Sequence, residues 1–424
     1  MTASTYQRVT QLATLTAVHR AFYWLHLHQP QIRRWLLETV RIPAPPFGEQ
    51  QRAAALLDRF HSLGLTNVHL DEEGNALGEL TPENEPDNSP VILVSAHLDT
   101  VFPAGTQCDP VEDAESPRIY GPGVCDNAAG LSALLALAAA LRYARINPPA
   151  TILFAANVGE EGEGDLRGMR YLFTRGQYRG RIAAAIALEG SGTSAVVTSG
   201  LGSLRYRVTI TGPGGHSWSD AGVPNPILLL SRALAAISEI PLSTTPLTTL
   251  NVGHISGGTS VNSIPSSATA LIELRSTGSA QMNEAAHEIR RILHETVAPF
   301  TGLLTPAMLS IEVIGDRPAA SLAGDSALLT LLRSVDRHLN LATEQRLGST
   351  DANLPLSLGI PALAIATGGT GGSIHTLDEW YDPTGREIAL RRILLLLLAS
   401  TQIASQLTGE TATALSGAAL HSTP

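Results

Sequence analysis

Six side chains able to do metal or acid–base chemistry fall where an apolar, strand-length run gives out. His97 ends the run that opens VILVSAHLDTV (Val91–Val101), and Asp126 sits in the glycine loop GPGVCDNAAG. Glu160 and Glu161 follow TILFAAN, Glu189 follows IAAAIAL, and His375 lies in GGTGGSIHT after IPALAIAT. Parallel-sheet proteins build their sites at the carboxyl ends of strands. Two histidines and four carboxylates converging there are the donors that a pair of divalent cations needs. Imidazole with carboxylate suits zinc, with cobalt or manganese as substitutes. Two such ions about 3.5–4 Å apart can bind and activate one water. Of the Glu160–Glu161 pair, one can ligate while its neighbour serves as general base, passing the water's proton to a leaving nitrogen. Away from cations the same pair would simply repel and stay on the surface.

His97 and Asp99 are two apart, so on a strand they share a face. Asp99 can then take one ring N–H of His97 and leave the other nitrogen for a metal. A core histidine with a satisfied carboxylate partner is the alternative for this pair alone.

The elements that must position these groups follow from the patterning. Val91–His97, Thr151–Asn157 and Ile182–Leu188 are apolar throughout, and between them LSALLALAAALRYA is a helix apolar on nearly all sides, hence buried. Met1 to about Arg41 reads as helices broken at Pro30, with Trp24, Trp35, Leu36 and Leu37 to pack. A proline-rich turn then leads into a helix over Ala53–Phe60. Near Ser199–Gly202 the texture changes. LRYRVTI alternates polar and apolar, and it is followed by a helix near Pro226–Ile240, strands near Leu247–Ile255 and Ala268–Leu274, a helix over Ser279–Val297, and SIEVIG (Ser310–Gly315). That β-α-β-β-α-β order predicts helices on one face of an antiparallel sheet. A helix near Asp325–Leu339 and the strand Ile360–Thr367 then restore the first texture. The expected fold is α/β: a mostly parallel-sheet catalytic domain (1–199 and 315–424) with helices on both faces, interrupted by a smaller α+β lid (200–314).

Composition narrows the chemistry. The chain has 424 residues, a net charge of -10 and no lysine, so all 28 basic residues are arginines. An acidic surface argues against nucleic acid or an anionic membrane as main partner. Without lysine there is no Schiff-base catalysis and no Walker A phosphate loop. Cys108 and Cys125 cannot make a disulfide framework, no signal peptide is evident, and ILLLLLA (Ile393–Ala399) is too short to span a bilayer. A cytoplasmic protein is expected.

The ordered set HLDT, GPGVCDNAAG, VGEEGEGDLRG, ALEG and GGSIHT resembles the dinuclear zinc peptidase and amidohydrolase superfamily of carboxypeptidase G, peptidase T and acetylornithine deacetylase. It spans nearly the whole chain. The resemblance implies that Asp126 bridges two metals, that His97 and Glu189 complete one site and that Glu161 and His375 complete the other. It makes Glu160 the general base and Asp99 the aid to His97, and it implies a cis peptide bond after Asp126. GPGGHS matches the family's lid turn, so His216 would polarise the scissile carbonyl, often across a dimer interface. GTSVNSIPSSATALIELRS matches the lid segment whose Asn262 and Arg275 hold a substrate carboxylate, arginine being suited to bidentate binding. GSTDAN (Gly348–Asn353) resembles a loop near the site. His254, His287, His294 and His338 match no motif.

Together these imply a metal-dependent hydrolase, with two zinc ions, acting on a peptide or N-acyl amide bond of a small substrate with a free carboxylate, and forming a homodimer through the lid. Glu at 189 favours carboxypeptidase or deacylase members. The wording of GSTDAN and IHTLDEW leans instead to peptidase T, an aminopeptidase, and Asn127-Ala128-Ala129-Gly130 is similar to aminopeptidases that lack a lid. A non-catalytic homologue would be marked by a lost ligand or base, and none is lost.

Overall fold

The structure, a computed structural model, describes residues 4–84 and 88–409. The chain divides into two compact units, 1–199 with 321–424, and 200–320. The second runs past 314 because the strand read as SIEVIG is longer, Met308–Arg317, and pairs with Gly202–Thr211 over its length.

The first unit is built on a mixed sheet whose central strands are parallel. Ile152–Asn157, Val91–His97, Ile182–Leu188 and Ala362–Ile365 lie side by side in that order. Every residue of the four is buried. Strands apolar on both faces must be covered on both, which selects helical crossovers and a parallel arrangement. Thr66–Leu70 and Ala76–Leu80 extend one side of the sheet and Ala195–Gly200 the other, all antiparallel. Because the four central strands run the same way, their carboxyl ends open on one edge. The chain leaves that edge at His97, after Asn157, after Leu188 and after Ile365.

The helix Gly130–Ala144 packs on Val91–His97 and is buried all round. The stretch Val124–Ala144 is long and apolar enough to cross a membrane, but 94% of its apolar window is inside the fold. That is how a core helix behaves. Near the amino end the chain breaks at His28, between Thr16–Leu27 and Gln29–Val40, with Pro30 in the first turn of the second helix. Proline is tolerated there because the first-turn N–H groups lack intrahelical partners anyway. Trp24 stacks on His28 and Trp35 and fills this corner.

The second unit has the strand order Thr248–Gly257, Ser267–Ser276, Gly202–Thr211, Met308–Arg317, antiparallel throughout. Alternate residues of Gly202–Thr211 and Ser267–Ser276 are buried against the helices Pro226–Ser238 and Ser279–Val297. A two-stranded ribbon, Gly215–His216 with Ser263–Ile264, stands apart from that sheet.

Candidate metal centre

The carboxyl edge of the parallel sheet gathers five of the expected ligands. His97 Nε2 lies 2.9 Å from Asp126 Oδ1, and His375 Nε2 lies 3.1 Å from Asp126 Oδ2. Each oxygen of one carboxylate thus faces a different histidine. His375 Nε2 is also 3.0 Å from Glu161 Oε1, and Glu189 Oε1 is 3.7 Å from His97 Nε2. Donor atoms of His97, Asp126 and Glu161 all lie within 4.8 Å of one another.

The local backbone explains how these side chains arrive. His97 is the last strand residue. It pairs in register with Asn157, whose side-chain amide donates to the buried Asp351 of the GSTDAN stretch at 2.8 Å. Asp126 follows Gly123, which sits at φ 73 and so turns the chain in a way that favours glycine, and the Asp126–Asn127 bond is cis. His375 has φ 66 and Ser373 φ 54. Left-handed backbone at non-glycine residues costs energy and persists where the surroundings hold it. His375 is consistent with that: its ring is pinned between two carboxylates.

Electrostatics at the cage are strongly coupled. Burial pushes the Glu189 carboxyl up to about 7, helped by the neighbouring charge of Asp126, against the opposing pull of His97. Asp351 adds its own negative field. Burial also works against charge on His97, but Glu189, Asp126 and Asp99 outweigh it and hold the imidazole well above its usual value. Hydrogen bonds to Asp126 and Glu161 raise His375 to about 10. Asp126, despite burial, is held well below the usual carboxylate range by His375 and His97. A set with more carboxylates than histidines, one acid between two imidazoles, its members running from buried His97 to exposed His375, fits divalent cations by the chemistry of its donors.

Asp99 departs from its expected role. The ring N–H of His97 Nδ1 is nearest the Asp99 main-chain carbonyl, at 3.0 Å, while the carboxylate is 3.6 Å away. The carboxylate instead accepts the backbone N–H of Glu160 at 2.9 Å and of Glu161 at 2.7 Å. One residue thereby orients the histidine with its backbone and the Glu-Glu turn with its side chain.

Several supporting residues escaped the sequence reading. Arg52, fully buried, donates to the carbonyls of Leu98 at 2.7 Å and of Ile42, beneath the His97–Asp99 segment. Asn75 accepts the N–H of Val158 and donates to the carbonyl of Gly168, clamping both ends of the loop that carries Glu160 and Glu161. Gly168 lets that clamp close, since a Cβ there would lie 2.3 Å from Asn75 Oδ1. Glu379 receives three backbone N–H groups around Asp126. Of these, only Glu379 carried a signal, an acid four residues after His375.

The remaining expected residues lie in the second unit. His216 Nδ1 accepts the N–H of Trp218 at 3.1 Å, which leaves the proton on Nε2 as an available donor. Ser260 Oγ donates to Asn262 Oδ1. Arg275 is not open-handed: its Nε and Nη2 fork onto Glu273 at 3.0 and 3.1 Å, and Arg205 shares the same acid.

Residues 93–399 match the peptidase family M20/M25/M40. The chain belongs to that family. Among relatives, the uncharacterized protein YqjE of Bacillus subtilis (strain 168) is 26% identical over 83% of this chain and 94% of its own. A "probable carboxypeptidase" of Aspergillus flavus is 28% identical over 225 residues, 49% of this chain and about half (51%) of that relative. Among solved structures, a tripeptidase from Staphylococcus aureus superposes with a TM-score of 0.70 at 21% identity, and aminopeptidase PepT from Bacillus cereus with 0.69 at 20%. Each covers 88% of this chain and 98% of its own. At such identities the likeness is one of fold: a mainly parallel sheet with helices.

Proposed function

We propose that this M20 peptidase hydrolyses a peptide or N-acyl amide bond in a small substrate with a free carboxylate, in the manner of a carboxypeptidase or N-acyl-amino-acid deacylase. The observation that carries the reading is the double hold of Asp99 on Glu160 and Glu161, which sets a candidate base beside a candidate ligand at the edge of the His97–Asp126–His375 cage. In this reading Asp126, His97, Glu189, Glu161 and His375 would hold two divalent cations, zinc being best suited to the donors, with Asp126 shared, His97 and Glu189 serving one and Glu161 and His375 the other. Those cations, when bound, supply Lewis acidity and lower the pKa of water.

Glu160 takes a proton from the attacking water as the C–O bond forms, then gives it to the nitrogen as the C–N bond breaks, so the amine leaves neutral. Asp99 keeps Glu160 and the imidazole of His97 in place while the charge on Glu160 changes. His216, with its proton on Nε2, would donate to the carbonyl oxygen as negative charge develops there. Asn262 and Arg275 would hold the substrate carboxylate, and Arg275 must then share its fork with Glu273. A homodimer through the inserted unit and a cytoplasmic location complete the reading.

A second reading, an aminopeptidase on di- or tripeptides, is favoured by the likeness to the tripeptidase and PepT structures. Hydrolysis of two matched substrate panels with zinc or cobalt added separates the two. One panel has blocked amino ends and free carboxylates; the other has free amines and C-terminal amides. Cleavage of the first alone is expected. Cleavage of the second alone would overturn the carboxypeptidase assignment, and cleavage of neither would overturn the peptidase reading of this site.

A further inference from the structure

Glu379 is completely buried, on the turn before the short strand Trp380–Asp382 and four residues beyond His375. Its Oε1 accepts the N–H of Cys125 at 2.8 Å and of Asp126 at 2.9 Å, and its Oε2 that of Gly123 at 3.2 Å. Its main-chain carbonyl accepts the N–H of Gly121 at 2.9 Å. One residue of the loop that bears His375 therefore holds almost the whole backbone of the loop that bears Asp126.

This is a costly way to fill space. A carboxylate buried near Asp126 adds negative charge to an acidic region. A buried apolar residue would avoid the cost, but it would leave three N–H groups without acceptors. Only an ionised carboxyl group, with two oxygens and no proton of its own, can accept from all three without opposing a donor. The geometry also fixes direction: with the Asp126 N–H aimed at Glu379, the Asp126 side chain is presented to His97 and His375.

We propose that Glu379 is a positioning residue for the metal cage, locking the Asp126 and His375 loops together so that the Asp126 carboxylate spans both histidines. The proposal rests on the metal-dependent reading above. It makes the cage's affinity for cations a property of Glu379, which touches no cation itself.

Zinc binding by the full-length chain tests it. Stoichiometry and affinity are measured by competition with a chromogenic chelator, beside thermal melting of the metal-free proteins, for the parent, E379Q, E379A and D336N. The last variant breaks a buried ion pair elsewhere in the same unit, Asp336 with Arg392 at 2.6 and 2.7 Å, and controls for simple destabilisation. The parent is expected to bind two equivalents and E379A to bind roughly 10–100-fold more weakly, the range for groups that orient metal ligands. E379Q should fall between, because its oxygen can keep Cys125 and Asp126 while its NH2 opposes Gly123. D336N should melt lower with zinc affinity within about twofold of the parent, the experimental scatter expected away from the cage. Parental affinity in E379A overturns the proposal whatever its melting temperature, and if E379A does not fold, parental affinity in E379Q does so. A parent that binds no divalent cation overturns the metal reading and this proposal together, whereas two equivalents bound at the same affinity in parent and Glu379 variants overturn this proposal only.

Discussion

Asp99→Asn removes one acceptor and no volume, and its consequences follow from four atoms. In the native site Oδ2 holds the Glu161 N–H at 2.7 Å and Oδ1 holds the Glu160 N–H at 2.9 Å, both out of water. An asparagine oxygen can keep only one of these, and the shorter bond to Glu161 is the one retained. The amide NH2 then faces the Glu160 N–H, donor against donor. Losing a hydrogen bond to a charged group costs about 1.5–3 kcal/mol, and a buried donor left without a partner adds about 1–3 kcal/mol. Relaxation of the turn recovers part of that sum, so about 2–4 kcal/mol of stability should be lost. For a unit of this size that is a fall in Tm of roughly 3–6 °C. The relaxation itself moves Glu160, and a displacement of about 1 Å at a catalytic group lowers turnover roughly 100-fold. His97 keeps its bond to the main-chain carbonyl of residue 99, so zinc content should stay near two equivalents. The assay is kcat and KM on a cleaved substrate, with calorimetry and metal analysis of the same preparation. A variant with kcat within twofold of the parent and an unshifted melt would refute the role assigned to Asp99. Loss of zinc at unchanged kcat per bound metal would show that the turn opened at Glu161 instead.

Glu160→Gln should leave zinc content intact while kcat falls roughly 10²–10⁴-fold, the usual worth of a general base; near-normal turnover would remove Glu160 from the mechanism. His97→Ala and His375→Ala should each lower zinc content. Only the first should also lower the melting temperature of the metal-free protein strongly, because His97 is buried whereas the His375 side chain is 51% exposed. Two full equivalents in both variants would contradict the ligand assignment. In the inserted unit, burial works against the charge of Glu273, but Arg275 and Arg205 hold its carboxyl down to about 2, below the ordinary 4.5. A folded-state pKa below the unfolded one means a stabilisation complete above about pH 4.5 and lost as pH falls towards 2. The Tm difference between parent and Glu273→Gln should therefore shrink across that window, and a difference independent of pH would show that the cluster contributes nothing.

Much of this candidate site was legible because its expected ligands interrupt a strong pattern. His97, Glu189 and the Glu160–Glu161 pair each terminate a run of residues buried on both faces, where a polar group needs a reason. The same patterning gave the parallel sheet, the buried helix Gly130–Ala144 and the change of texture at residue 200. The exact end of the inserted unit was less legible, since Met308–Arg317 alternates only in part and Glu312 and Val313 are both exposed before burial begins at Gly315. Arg275 shows a different limit. The family resemblance implied carboxylate binding for it, but nothing in periodicity reveals that Glu273, two residues earlier on the same face of the strand, occupies the fork.

The groups that hold the ligands were hidden for a physical reason. Arg52, Asn75 and Glu379 act through backbone N–H and carbonyl groups, and every residue has those, so their partners leave no mark in the sequence; Asp99 was legible as a partner of His97, but its hold on the Glu160 and Glu161 N–H groups was not. Their effect is electrostatic as well as mechanical. Arg52 is lowered to about 10 by burial, with Cys108 and Asp99 pulling the other way, so it remains a cation at neutral pH. Its guanidinium thus places a fixed positive charge under Leu98, behind an edge crowded with Asp99, Asp126, Glu161 and Glu189. That charge pulls on Asp99, whose carboxylate holds the Glu160–Glu161 turn, so Arg52 supports that turn through Asp99 while its Nε, Nη1 and Nη2 donate to the carbonyls of Ile42 and Leu98.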